Sequence, residues 1–153
     1  MKNFIVREIK KSEYGKLENF LYEAIFIPEN ISPPPREIIF QPELQVYIKN
    51  FGEGKADFCF VAEIDKKIVG AAWSRIMNDY GHIDDKTPSL ALSVLKNFRR
   101  QGIATALMIN LSKNFLKFLL KFHYQCRKII LLLLNFIKNS DLKFFVKLMK
   151  NLL

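Results

Sequence analysis

The chain has 153 residues, two cysteines and a formal charge of +9, long enough for one domain that buries its core without metal or disulfide support. Cys59 and Cys126 form no CxxC pair, which argues against a disulfide scaffold and for a reducing, cytoplasmic setting, and Met1–Glu8 lacks the apolar core of a secretory signal. The charge is uneven: residues 1–112 carry a net +1 and the last 41 carry +8, so the basicity that would suggest nucleic acid or an anionic membrane belongs to the tail alone.

In chain order, Phe4–Ile9 alternates apolar and polar residues, the pattern of a half-buried first strand. Ser12 is placed to cap a helix running to about Phe26, with Leu17, Phe20, Leu21 and Ile25 on one face. Pro28, Pro33, Pro34 and Pro35 make 27–35 a loop, and a second amphipathic helix is expected over 42–51, using Leu44, Val46, Tyr47 and Ile48. Phe58–Ile64 and Ile68–Ile76 read as an antiparallel hairpin about a tight turn at Asp65-Lys66-Lys67. Gly70 interrupts the return strand, the mark of a bulge or of close packing. A polar loop over 78–88 leads to a strand from Ser89 to Leu95.

The six residues Arg99-Arg100-Gln101-Gly102-Ile103-Ala104 follow that strand and precede a helix-like stretch from Thr105 to Leu111. A strand, a loop of consecutive backbone N–H groups and a helix N-terminus form an anion-binding device. Gly102 lets the main chain approach a ligand and Ala104 leaves little side chain in the way. By itself the hexamer also fits a plain strand-to-helix turn.

The ordered series of strand, helices over a Pro-rich loop, hairpin ending Val-Gly-Ala-Ala, strand, loop and helix resembles the first three-quarters of the GNAT acyl-CoA N-acyltransferase family. The family's consensus is Arg or Gln, two residues, Gly, one residue, then Gly or Ala, and Arg99, Gly102 and Ala104 occupy those positions. The resemblance implies an α/β fold with a mixed, mostly antiparallel sheet. It implies acetyl transfer from acetyl-CoA to an amine of a small molecule or protein, with no metal, nucleic acid or membrane span required and a homodimer left open. It further implies that the main chain of Gln101, Gly102, Ile103, Ala104 and Thr105 holds the pyrophosphate. The main chain of Leu92, Ser93 and Val94 would pair with the pantetheine arm like an added strand, and Arg99 and Arg100 would add charge, with a solvated surface the alternative for Arg100.

An oxyanion donor is expected at the N–H of Val94 or Leu95. Glu37, His82, Asp84 and Asp85 are candidate bases, none singled out by spacing. Phe26, Phe40, Tyr47 and Trp73 suit either a substrate pocket or the core, the core being the ordinary role.

The resemblance stops at about residue 118, where the family's splayed fifth strand, its Asn, its acid Tyr and its Gly-Phe turn should follow. The sequence carries a basic and apolar run over 119–153 instead. Joining the last base of each codon to the first two of the next permits Ile-Ser-Leu-Ser-Val from Lys121 on. It then permits an Asn, an Ala pair, a Tyr or His and Gly-Phe, in the family's order. A frameshift between about Lys113 and Lys121 is therefore expected, leaving an acetyltransferase domain over 1–118 and an aberrant tail. Read in frame, Asn139–Phe145 loosely imitates the Asn-to-Tyr segment, with Phe145 lacking the Tyr proton. The competing class is a non-enzymatic protein whose tail, with Phe145, Leu148, Met149 and Leu152 beside Lys143, Lys147 and Lys150, binds a membrane surface or nucleic acid. The 129–137 run is too short to cross a bilayer, which takes about 20 apolar residues.

Overall fold

Four mainly apolar segments pair into one antiparallel sheet in the computed structural model, which describes residues 3–28, 30–79, 82 and 84–121. The expectations for the tail past residue 121 lie outside those residues. Strands β1 (Ile5–Glu8), β2 (Phe58–Ile64), β3 (Lys67–Arg75) and β4 (Ser89–Val94) stand in the order β1-β2-β3-β4. All three pairings are antiparallel, so the expected mixed character does not arise within the described strands. The β2–β3 turn is tighter than expected: Asp65 and Lys66 alone make it, at φ +49° and +63°, matching a two-residue hairpin of the type whose twist suits the strands.

Between β1 and β2 the chain forms a 3-10 turn at Lys11–Lys16, helix α1 (Leu17–Ala24), a second 3-10 turn at Arg36–Phe40 and a short helix α2 (Pro42–Gln45). Ser12 is not the cap. The Glu13 carboxylate accepts from the Lys10 N–H at 3.0 Å while both its oxygens take Arg7, which also bonds Glu63 on β2. This carboxylate serves the strand pair and the turn together, a role that no local pattern announces.

Helix α2 stops at Gln45 rather than Phe51: the Tyr47 and Ile48 N–H groups bond three residues back, to Leu44 O and Gln45 O, and the segment that follows is held from outside. Trp73 Nε1–H donates to Tyr47 O (3.1 Å), and Arg75 Nη1–H donates to Val46 O (3.2 Å) and Lys49 O (2.7 Å). The same Arg75 pairs with Asp57 (3.0 Å), which also accepts from the N–H groups of Gly52 and Gly54. The segment joining α2 to β2 is thereby pinned to the end of β3.

The sheet separates two apolar layers. On one face Leu17, Phe20 and Leu21 of α1 pack with Cys59, Val61, Ala71 and Trp73. On the other, helix α3 (Ile103–Lys121) sets Ile103, Leu107 and Leu111 against Ala62, Val69, Ala72 and Val94. Full burial of a residue such as Leu17 or Leu107 contributes about 1.5–3 kcal/mol. Gly70 lies under the second layer, opposite Val94. A Cβ there would stand 3.2 Å from Leu107 Cδ1 and Val94 Cγ2 and 3.3 Å from Ile103 Cγ2. The glycine lets α3 start directly on the sheet.

Candidate functional site

Among the described residues β4 has one strand neighbour, β3, so its other edge is open. The register decides which groups face that edge. Leu95 N–H donates to Val69 O at 2.9 Å, and Ser93 lies opposite Ala71. Antiparallel alternation therefore turns the main chains of Ala91, Ser93 and Leu95 toward β3 and sends the N–H and C=O groups of Leu90, Leu92 and Val94 outward. Of the three residues expected to offer main chain to a ligand, Leu92 and Val94 turn theirs outward and Ser93 turns its own toward β3. Of the two expected oxyanion donors, Val94 points its N–H outward while Leu95 has spent its own inside the sheet.

At the end of β4 a 3-10 turn, Lys96–Phe98, reverses the chain. Arg99 is extended, Arg100 has φ +61° and Gly102 has φ +78°. Two left-handed residues within three positions curl the main chain into a nest of N–H groups. Space around Gly102 is open, so its glycine answers to the torsion and not to crowding. The first helical bond of α3 runs from Ala106 N–H to Gly102 O (3.0 Å), which leaves the N–H groups of Ile103, Ala104 and Thr105 ahead of the ladder at the positive end of a 19-residue helix. Ile103 is buried and anchors that end.

Arg99 does more than supply charge: its Nε–H donates to Val94 O at 2.9 Å, bridging the loop to the outward face of the strand. Arg100 is exposed, and Gln101 Nε2 lies 3.5 Å from Asn97 O. The strand edge, the loop and the helix start thus form one continuous surface with donors facing outward.

The candidate bases stand on other segments and are engaged there or exposed. Glu37 is exposed on the Arg36–Phe40 turn. His82 donates through Nδ1 to Met77 O (2.9 Å), and its Nε2 is 3.5 Å from Asp85, whose side chain is almost wholly exposed. The Lys86 N–H, then the Thr87 hydroxyl, hold the Asp84 carboxyl below its ordinary range, which weakens it as a base. Of the four aromatic residues weighed for a pocket or core, Trp73 is buried, whereas Phe26 and Phe40 are 86% and 61% exposed.

Two polar features escaped the sequence reading. Asp79 accepts from the Tyr47 and Ser89 hydroxyls at 3.1 and 2.9 Å, tying the β3–β4 loop to the start of β4. Ser93 Oγ is buried and has no hydrogen-bond partner among the described residues. A cleft of about 330 Å³ between the start of α1 and the segment after α2, bordered by Tyr14, Glu18, Lys49 and Phe51, contains none of the predicted site residues. Among the described residues no three His, Cys, Asp or Glu side chains are grouped to hold a metal ion, and no helix is long and apolar enough to cross a membrane.

A model of the acetyltransferase (GNAT) family matches residues 22–134. Three solved acetyltransferase structures are similar to this chain. The aminoglycoside N-acetyltransferase AAC(6')-Iy, in complex with CoA, is 16% identical with a TM-score of 0.47 over 83% of this chain and 74% of its own. An aminoglycoside acetyltransferase from an uncultured soil metagenomic sample is 26% identical with a TM-score of 0.40, over 73% and 68% respectively. The ribosomal-protein-S18-alanine N-acetyltransferase from Escherichia coli is 13% identical with a TM-score of 0.46, over 75% and 61%. No curated protein matches.

Proposed function

The chain belongs to the GNAT acetyltransferase family, and on that premise we propose that it transfers an acetyl group from acetyl-CoA to a primary amine. In this reading the N–H groups of Gln101 to Thr105 receive the pyrophosphate, with Arg99 and Arg100 supplying charge at the mouth. The pantetheine arm lies along the open edge of β4 and pairs with Leu92 and Val94. The thioester lies at the end of the arm farthest from the pyrophosphate, so the outward N–H of Leu92 faces its oxygen as it becomes an oxyanion. The amine nitrogen bonds to the carbonyl carbon, the C–S bond breaks, and the proton that the nitrogen gives up is balanced by the one that the leaving thiolate takes.

The observation that supports this best is the continuity of surface: an open strand edge runs directly into a nest, with Gly102 at φ +78°, and on into a helix N-terminus. Turnover is expected to be low, because the family's thiolate acid would come from beyond residue 118, where the sequence carries the basic and apolar run.

Isothermal titration with CoA tests the reading. A branched residue at Gly102 must either hold a left-handed torsion, at about 1–3 kcal/mol, or flatten the nest, so Gly102→Val is expected to weaken CoA at least tenfold. Unchanged affinity in Gly102→Val would refute the assignment of the pyrophosphate. A tail-based binder predicts instead that deleting 119–153 abolishes every partner interaction and that CoA never bound.

A further inference from the structure

The open edge of β4 has ends of opposite charge. Past its C-terminal end come Lys96, Arg99 and Arg100, beside the nest. At its start the β3–β4 connection carries Asp79, Asp84 and Asp85 against the single Lys86. Asp84 and Asp85 are exposed, whereas Asp79 is half-buried and held in place. Its Oδ2 accepts from the Tyr47 hydroxyl at 3.1 Å and its Oδ1 from the Ser89 hydroxyl at 2.9 Å. A carboxylate offers about four lone-pair sites, so two hydroxyl donors leave it able to accept more. Among the described residues no cation pairs with it: Arg75, which lies opposite Ser89, is taken by Asp57 (3.0 Å), and His82 faces Asp85 (3.5 Å).

The register fixes how far that carboxylate stands from the chemistry. With the pyrophosphate in the nest and the thioester at the Leu92 N–H, the cofactor takes the C-terminal part of the edge, and the rest of the acceptor has the start of β4 before it. Ser89 is three residues from Leu92, about 10 Å along the strand. By alternation Ser89 shares the face of Ala91, on which Tyr47 also packs, and Ala91 puts only a methyl group in between. The Asp79 carboxylate, bonded to the Ser89 hydroxyl, therefore stands about 7–10 Å from the reacting nitrogen. That is too far for direct proton transfer, which takes about 3 Å, and the right distance for a second positive centre on the same molecule.

We propose that the acceptor is a diamine or longer polyamine: one neutral nitrogen attacks the thioester while a second, protonated nitrogen donates to the Asp79 carboxylate. The inference rests on the acetyl-transfer reading and adds the substrate class to it. Asp79 is a substrate-binding residue that moves no proton. Its bond to an ammonium is charge-assisted at both ends, about twice as strong as a bond between neutral groups. Asp84 and Asp85, exposed on the same connection, bias the approach of a polycation toward the end of the edge that the phosphates leave free, an effect that salt weakens.

Titration calorimetry on the full chain saturated with CoA compares three probes. Hexane-1,6-diamine has an extended span in the required range, hexylamine lacks the second charge, and ethane-1,2-diamine holds its two charges too close together. The expected result is about tenfold tighter binding of hexane-1,6-diamine than of either other probe, a preference that shrinks with added salt. Asp79→Asn keeps the shape and removes the charge, so it should leave CoA affinity within about twofold and bring hexane-1,6-diamine down to the level of hexylamine. A long diamine bound no better than hexylamine overturns the proposal. So does an Asp79→Asn protein that keeps the preference, or one that loses CoA and all three amines alike, which marks Asp79 as a strut of the loop. Should Asp79→Asn not fold, the contrast between the two diamines in wild type decides alone. A chain that binds no CoA refutes the acetyl-transfer reading instead.

Discussion

Replacing Gly70 by alanine adds one methyl group at the point where α3 meets the sheet. The added carbon would stand 3.2 Å from Leu107 Cδ1 and Val94 Cγ2 and 3.3 Å from Ile103 Cγ2, closer than the 3.5–4.0 Å at which carbon pairs gain dispersion energy. Three neighbours on two elements must each give by a few tenths of an ångström, and overpacking of this kind costs about 1–3 kcal/mol. Gly70 is not among the residues with positive φ, so alanine fits the torsion and stiffens the unfolded chain, returning about 0.4–1 kcal/mol. The balance is a net loss of about 1–2 kcal/mol, or about 2–8 °C in the thermal midpoint of a chain this size. Circular dichroism measures it. The displaced contacts include Ile103, the first residue of α3, so the same variant should bind CoA several-fold more weakly by titration calorimetry. Trimming Leu107 to alanine in the Gly70→Ala background should cost less than the sum of the two changes. A Gly70→Ala protein that melts higher than wild type, with CoA affinity intact, would refute the claim that the helix start is held at contact distance.

Breaking the Asp57–Arg75 pair by Asp57→Ala strands a nearly buried guanidinium and frees two loop N–H groups, so urea unfolding should show a loss of about 3–5 kcal/mol. Arg7, and then the Lys10 N–H, hold the Glu13 carboxyl down at about 2 against an ordinary 4.5. The carboxylate therefore contributes stability in full above about pH 4.5 and loses it as pH falls toward 2; acid titration of Glu13→Gln should show a shallower decline across that window. Burial pushes the Cys59 thiol up, well above its ordinary value, so in native protein it should resist Ellman's reagent and react at the rate of unfolding.

The hairpin was legible from the chain because its apolar runs and its Asp65-Lys66 turn are local signals. The loop from Arg99 to Ala104 was legible for the same reason: a glycine, a helix start and a preceding strand lie within a dozen residues. The parity of β4 was not, since whether Ser93 or Val94 faces the open edge depends on pairing with β3, a partner some twenty residues away. The contacts that hold the segment after α2 were hidden for a similar reason, since Trp73 and Arg75 reach its carbonyls from β3. The role of Glu13 was not legible either, since it depends on Arg7, which the β1–β2 pairing sets between Glu13 and Glu63. Phe26 and Phe40 show the limit in the other direction: aromatic residues beside a proline-rich loop carry no signal that tells burial from exposure.

The bridge from Arg99 to the Val94 carbonyl has a meaning apart from ligands. An open strand edge is a template on which another chain can extend the sheet, the first step of aggregation. Two carbonyls, those of Leu90 and Leu92, remain for such an intruder, because the third already carries the Arg99 Nε–H. The guanidinium also sets a positive charge where the next backbone would have to lie. Arg99 thus shortens the exposed ladder at the end nearest the loop, and Arg99→Ala should reveal itself first as lower solubility on concentration, before any change in the melting curve.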